Sequence, residues 1–251
     1  MNEVVQLERR DIIGIVTVNS PPVNALSAAV RGGILECMKS AITDPEIKAI
    51  VLTCAGRTFI AGADITEFGK PPKPPGLQEV LTEMENSPKP IVAAIHGTAL
   101  GGGLEVALAC HFRVATKDAR LGLPEVKLGL LPGAGGTQRL PRLVGKGLAL
   151  QLILSGEMIS AQEAYRIGLV NEVVPRDQLI PRAEAVLRQI GAHAPLAVKF
   201  ALEAVNQGLE APQDQGLSLE ASLFGLCAAT EDKAEGTLAF LSKRAPNFQG
   251  R

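Results

Sequence analysis

Three short runs, residues 12–18, 49–53 and 91–95, are apolar at nearly every position and rich in β-branched side chains. Each is bounded by Gly, Pro or polar residues and is too short for an isolated helix, so each reads as a strand. A strand that is apolar on both of its alternating faces must be covered on both sides, which restricts the chain to layered α/β architectures. Between the first two runs, residues 27–42 read as a helix capped by Ser27 and ended by Asp44-Pro45. Residues 112–115 and 170–174 are further strand candidates. From about Ser160 onward helical patterns dominate. Ser160-Ala161-Gln162-Glu163 forms a capped start that runs to a stop at Gly168. Helices over 178–190, 196–207, 217–229 and 232–241 follow, punctuated by Pro195 and Pro212.

The 251 residues are enough for one large α/β domain, or for one domain with a small appendage. With 25 basic against 26 acidic residues the net charge is −1, so no global field favours nucleic acid or an anionic membrane. The densest basic stretch, 139–146, holds Arg139, Arg142 and Lys146 among apolar neighbours and reads as solvated charge near a loop. Cys37, Cys54, Cys110 and Cys227 form no C-x-x-C pair and have no histidine pair at ligand spacing. They are expected to be reduced thiols with no metal between them. Met1-Asn2-Glu3-Val4-Val5 lacks the basic and apolar blocks of a secretory leader, and no run nears the ~18 apolar residues of a membrane span. No peroxisomal tripeptide stands at Gln249-Gly250-Arg251. A cytoplasmic protein is the expectation.

Several chemistries lack their motifs. There is no Walker loop, no G-x-S-x-G elbow and no His-Glu-x-x-His, and Gly133-Ala134-Gly135-Gly136-Thr137-Gln138 only begins like a dinucleotide fingerprint. His96, His111 and His193 have no nucleophile beside them and read as structural. What remains is a pair of carboxylates. Gly101-Gly102-Gly103-Leu104-Glu105 opens an otherwise apolar helix, where a lone Glu is expensive to ionise unless its charge is used. The glycines let a ligand approach backbone N–H groups at the positive end of the helix dipole. Glu125 follows in Leu123-Pro124-Glu125. Small residues in Phe59-Ile60-Ala61-Gly62-Ala63-Asp64-Ile65 offer a second stretch of approachable backbone, or an ordinary tight turn. Residues 69–76, with four prolines, read as a surface loop, either a flap over a substrate or a plain connection.

Taken in order, Asn24-Ala25-Leu26, Ala61-Gly62-Ala63-Asp64-Ile65, Ala99-Leu100-Gly101-Gly102-Gly103-Leu104-Glu105, Pro124-Glu125, Leu131-Pro132-Gly133-Ala134-Gly135-Gly136-Thr137-Gln138-Arg139-Leu140-Pro141 and Ile159-Ser160-Ala161-Gln162-Glu163-Ala164 resemble the enoyl-CoA hydratase/isomerase (crotonase) superfamily over essentially the whole chain. The resemblance implies an α/β fold of crotonase-like ββα-spiral type with a helical C-terminal trimerisation region. The division it suggests is a catalytic core over 1–190 and a helical oligomerisation region over 191–251. It implies an acyl-CoA thioester substrate, no cofactor beyond that CoA, and a homotrimer or a homohexamer built as a dimer of trimers. Carried over by position, the N–H groups of Ala63 and Gly102 form an oxyanion hole, and Glu105 and Glu125 are the catalytic carboxylates. The Gly133 N–H helps hold a water. Ala25, Ala61, Asp64 and Ile65 wrap CoA, and Phe240 and Lys243 reach the CoA of a neighbouring subunit. The sequence departs from the family in two places. Ser20-Pro21-Pro22-Val23 lacks the basic residue that many members carry before Asn-Ala-Leu, and the 69–76 loop is shorter than the helical insertion of many hydratases.

The chemistry so implied is syn addition of water across the C2=C3 bond of a 2-trans-enoyl-CoA, in β-oxidation or a related acyl-CoA degradation. A base takes a proton from water as oxygen attacks C3, and an acid delivers a proton to C2. Glu105 is expected as the base and Glu125 as the protonated acid. A Δ3,Δ2-enoyl-CoA isomerase on the same fold is the nearest alternative, although a C2-to-C4 proton shuttle needs only one base. A non-catalytic acyl-CoA- or RNA-binding protein of this fold is the other. The intact Glu pair and near-neutral charge favour the hydratase.

Overall fold

The computed structural model describes residues 4–251. Residues 1–3, part of the stretch read above for a leader, lie outside them. The chain opens with strands β1 (Val5–Arg10) and β2 (Ile13–Val18), paired antiparallel, followed by α1 (Ala28–Thr43) and β3 (Ala49–Cys54). Next come α2 (Leu77–Glu85), β4 (Ile91–Ile95), β5 (Thr98–Leu100), α3 (Gly102–Ala109), β6 (Phe112–Thr116) and β7 (Arg120–Gly122). Helices α4 (Gly136–Val144) and α5 (Lys146–Ser155), strand β8 (Ile159–Ser160), helix α6 (Ala161–Arg166), strand β9 (Glu172–Val174) and helix α7 (Leu179–Gly191) complete the layered part. Helices α8 (Pro195–Gly208), α9 (Gln213–Ala228) and α10 (Glu231–Leu241) end the chain.

The main sheet has six strands in the order β1-β2-β3-β4-β6-β9, parallel from β2 onward, and a small second sheet has the order β5-β7-β8. Successive side chains along the strands point to opposite faces, as on any pleat, and both faces are buried. Ile13, Ile15, Ala49, Val51, Val92, Ala94 and Val114 face one way, onto Leu179, Ala183 and Leu187 of α7. Val16, Val18, Ile50, Leu52, Ile91, Ala93 and Ile95 face the other way, into the larger core shared with α1, α2 and α3. The two-sided coverage expected from the apolar runs is therefore what the protein has.

Some elements differ from expectation. β1 carries no apolar run, because an edge strand with an exposed outer half needs none; its residues are Val-Gln-Leu-Glu-Arg-Arg. The second sheet and helices α4 and α5 were not anticipated either. Its strands are two or three residues long, and α4 begins in glycines and contains Pro141. Ser27 does cap α1, its hydroxyl accepting from the Val30 N–H, and Ser160 caps α6 in the same way through Glu163. The 69–76 loop is irregular but fastened. Arg31 donates to the carbonyls of Leu26 (2.6 Å), Lys73 (2.9 Å) and Pro75 (2.8 Å) and pairs with Glu67 (3.0 Å).

The C-terminal helices are of another character. No residue of α8 is buried, and only Leu223 is in α9. Val205, Leu209, Leu217, Phe224, Leu226, Leu238, Phe240 and Leu241 are all exposed. The tail is pinned by Asp232, whose carboxylate accepts from the N–H groups of Gln249 (2.6 Å) and Gly250 (2.8 Å). Among the described residues no helix is long and apolar enough to cross a membrane.

Candidate active site

Every residue of α3 is buried, Glu105 included at 2% exposure. The helix can sit so deep because its first turn is glycine. Gly101 is its N-cap at φ 52°, a left-handed conformation that costs other residues dearly. At Gly103 a β-carbon would be driven into the carbonyl of Ile60. The Glu105 side chain leaves this helix toward α4. Its Oε1 accepts two backbone hydrogen bonds, from the N–H groups of Ala134 and Gly136, each 2.8 Å. These amides stand at and just before the N-terminus of α4, where orphan donors and the helix dipole favour a carboxylate. Burial pushes the Glu105 proton affinity up, and the two amides and the Arg139 charge partly offset it.

Glu125 reaches the same place from another direction. The Gly101 N–H donates to the Gly122 carbonyl at 2.9 Å, so the end of β7 is sewn to the glycine triplet. Glu125 begins a 3-10 turn, Glu125–Leu128, three residues further on. Its carboxylate lies over Gly101, with Oε1 3.0 Å from where a β-carbon there would stand. Its Oε2 is buried and has no hydrogen-bond partner among the described residues. Burial pushes the Glu125 pKa up, and the charge of Glu105 pushes it further. Two carboxylates this close do not both ionise cheaply.

Across from the pair lie two backbone donors. Gly102 opens α3, and its amide is one of the N–H groups that a helix start leaves without an intrahelical partner. Ala63 follows Gly62 (φ 124°) in the stretch bridged to Leu26 and β5, and its N lies 3.8 Å from the position of a Gly102 β-carbon. Among the described residues neither N–H donates to a protein acceptor.

Beside these donors opens a cleft of about 380 Å³ lined by Pro21, Val23, Ala25, Ala61, Asp64 and Ile65, among others. Ala25, Ala61, Asp64 and Ile65, named from the sequence, thus share one wall with Ala63. Asn24 builds that wall at φ 53°. Its Oδ1 accepts from the Ser20 N–H at 2.8 Å, and its Nδ2 donates to the carbonyls of Ala55 and Thr58, both 3.0 Å. Asp64 caps the short 65–67 turn through the Thr66 N–H (2.9 Å), and hydrogen bonds from the Thr66 side chain and N–H hold its carboxylate below the usual range. Phe240 and Lys243 lie exposed at the end of α10 and do not line this cleft.

Sequence reasoning missed the amides of Ala134 and Gly136; it named Gly133, which is exposed one residue before them. The alternation of small residues over 133–136 was the available signal. Arg139 is a correction. It is not solvated charge near a loop: its side chain is 12% exposed, paired with Glu85 at 2.7 Å. Geometrically, the site suits a reaction that moves protons at carbon next to a carbonyl whose oxygen gathers charge.

Comparison with known proteins agrees. The model of the family "Enoyl-CoA hydratase/isomerase" matches residues 8–251. A crotonyl-CoA hydratase of Syntrophomonas wolfei is 42% identical, covering 98% of each chain. A 2,3-dehydroadipyl-CoA hydratase of Escherichia coli is also 42% identical, over 100% of both. The crystal structure of an enoyl-CoA hydratase from Bacillus anthracis superposes with a TM-score of 0.93 at 35% identity, covering 99% of this chain and 100% of that one.

Proposed function

The chain belongs to the enoyl-CoA hydratase/isomerase family and is an enoyl-CoA hydratase; we propose that Glu105, Glu125, Ala63 and Gly102 carry its reaction. The substrate is an acyl-CoA thioester whose carbonyl oxygen takes the Ala63 and Gly102 N–H groups. Ionised Glu105 removes a proton from water as its oxygen bonds to C3. The electrons of the C2=C3 bond move toward the thioester oxygen, where the two amides offset the growing charge. Loss of one such donor costs about 3 kcal/mol. Glu125 then gives its proton to C2, and the site resets when the proton taken by Glu105 leaves to solvent and solvent returns one to Glu125. The Gly133 N–H stands close enough in sequence to the Glu105 donors to help hold the water. No cofactor enters beyond the CoA that the substrate carries.

The observation that carries this reading is the convergence of two carboxylates with raised proton affinity on the glycine end of α3. A Δ3,Δ2-isomerase would need only one of them. The cleft of Ala25, Ala61, Asp64 and Ile65 is the proposed seat of the CoA moiety. The exposed apolar residues of α8–α10 support a homotrimer or a dimer of trimers, with Phe240 and Lys243 turned to a neighbour's CoA. Light scattering of the purified protein reads the assembly directly, and a monomer at micromolar concentration overturns it. We place the protein in the cytoplasm, acting on neither nucleic acid nor membrane.

The test of function is a panel of enoyl-CoA thioesters of graded length. Loss of the conjugated-enoyl absorbance, with 3-hydroxyacyl-CoA as product, is expected. Conversion of 3-enoyl-CoA alone, without hydration, would move the assignment to the isomerase.

A further inference from the structure

The loop that holds Glu105 is itself held. The Ala134 N–H donates to Glu105 Oε1 at 2.8 Å, and the Ala134 carbonyl accepts from Arg139 Nη1 at 2.9 Å. Gly135, at φ 100°, lies so close beneath that guanidinium that a β-carbon there would collide with Nη1. The other edge of Arg139 is gripped bidentately by Glu85, Nε to Oε1 at 2.8 Å and Nη2 to Oε2 at 2.7 Å. Glu85 is the last residue of α2, and its carbonyl accepts from Asn206 Nδ2 of α8 at 3.0 Å. A planar guanidinium with both edges engaged has no freedom to swing, so the 134–136 peptides are fixed relative to α2 and α3.

We propose that the Arg139–Glu85 pair is a positioning device for the reaction: it fixes the amides of Ala134 and Gly136 and, through them, the pose and charge of Glu105. Arg139 touches no reacting atom in this account. The proposal rests on Glu105 being the base of the hydration. The charged groups around Glu105 make the consequence predictable. Elements α2, α4 and β5 pack against α3. From α4 come Arg139 and Arg142, from α2 Glu85, and from the 3-10 turn Glu125. Arg142 is half-exposed and points to Glu210, and Glu79 and Glu83 line a surface groove with Ile42 and Pro88. β5 carries no charge. Lys127, on the same turn as Glu125, lies against Gly156. Among the described residues Arg139 is therefore the cation whose charge reaches Glu105, and it favours the ionised form.

The test uses R139M, R139K and E85Q in the full-length protein, with crotonyl-CoA hydration followed across pH. R139M is expected to lower kcat about 10–100-fold with KM little changed, the scale of a misplaced catalytic group. The acid limb of its pH profile should move upward, because Glu105 loses the cation and its fixed donors together. R139K keeps the charge, so its limb should move less while kcat still falls, and E85Q should lie between R139K and the parent. The titration of the Glu105 carboxyl by ¹³C NMR, assigned by its absence in E105Q, needs no turnover. A parent that hydrates no enoyl-CoA would sink the functional reading, while that titration would still report on Arg139. If R139M keeps kcat within about twofold, or loses it with the Glu105 titration unmoved, the positioning role is wrong.

Discussion

Glu235 on α10 and the Glu105–Glu125 pair are the same kind of side chain in opposite surroundings. Glu235 sits at the surface in a bidentate pair with Arg244 and also accepts from the Asn247 N–H, which holds its pKa down to about 2. Glu105 and Glu125 have both been pushed upward by burial, and Glu125 further by the charge of Glu105. The first carboxylate is a fastener, ionised at any pH the protein meets. The other two hold their protons more tightly than free carboxyls do: backbone amides partner Glu105, while Oε2 of Glu125 is buried with no partner among the described residues. The contrast extends to the elements that bear them: α3 is wholly buried, whereas α10 hides only Asp232 and Ala239. Chemistry resides where burial is deep and compensation deliberately incomplete.

The sharpest way to break this contrast is to neutralise the pair. E105Q and E125Q should each lower kcat for crotonyl-CoA about 10²–10⁴-fold, the range for loss of a general acid or base, measured by loss of enoyl absorbance. Near-parental turnover in either would end the paired-carboxylate account. Next in size is G103A. Its methyl meets the Ile60 carbonyl, so unfolding in urea should show about 1–3 kcal/mol of lost stability or more, together with loss of activity.

A smaller effect concerns pH and stability. A carboxyl whose native pKa lies above its unfolded value binds more protons when folded, so it makes the protein less stable as pH rises from the unfolded toward the native pKa. Glu125 is such a group, and E125Q should flatten that part of the fall when unfolding is compared between about pH 4 and 8. An unchanged pH slope would place Glu125 outside the buried pair. Smallest of all is E235Q. The Glu235 pKa is depressed, so its contribution is present above the ordinary carboxylate value and lost as pH falls toward about 2. E235Q should leave kcat intact and shift the melting temperature only slightly at neutral pH, as surface pairs do. A large loss of activity would show that α10 is part of the site in the assembled protein.

Much of this was legible in the sequence, for physical reasons. Strands buried on both faces must be apolar throughout, so β2, β3 and β4 announced themselves. A Glu inside Val-Ala-Leu-Ala context is so costly that its position alone pointed to use. What escaped notice depends on partners distant along the chain. Arg139 looked like surface charge because Glu85, 54 residues away, supplies its burial. Asn24 belonged to a recognisable Asn-Ala-Leu triplet, yet its work of tying Ser20 to Ala55 and Thr58 is set by a loop that local pattern does not place. Helix α4 was hidden by the glycines at its start, which are there to let amides face Glu105.

That last arrangement bears on how the protein can vary. The groups that set the basicity of Glu105 belong to the main chain of Ala134 and Gly136, and no codon change deletes a peptide N–H short of proline. Inheritance can therefore tinker with side chains around the base while the donors persist. Sensitivity to mutation is concentrated instead in the few residues that aim them.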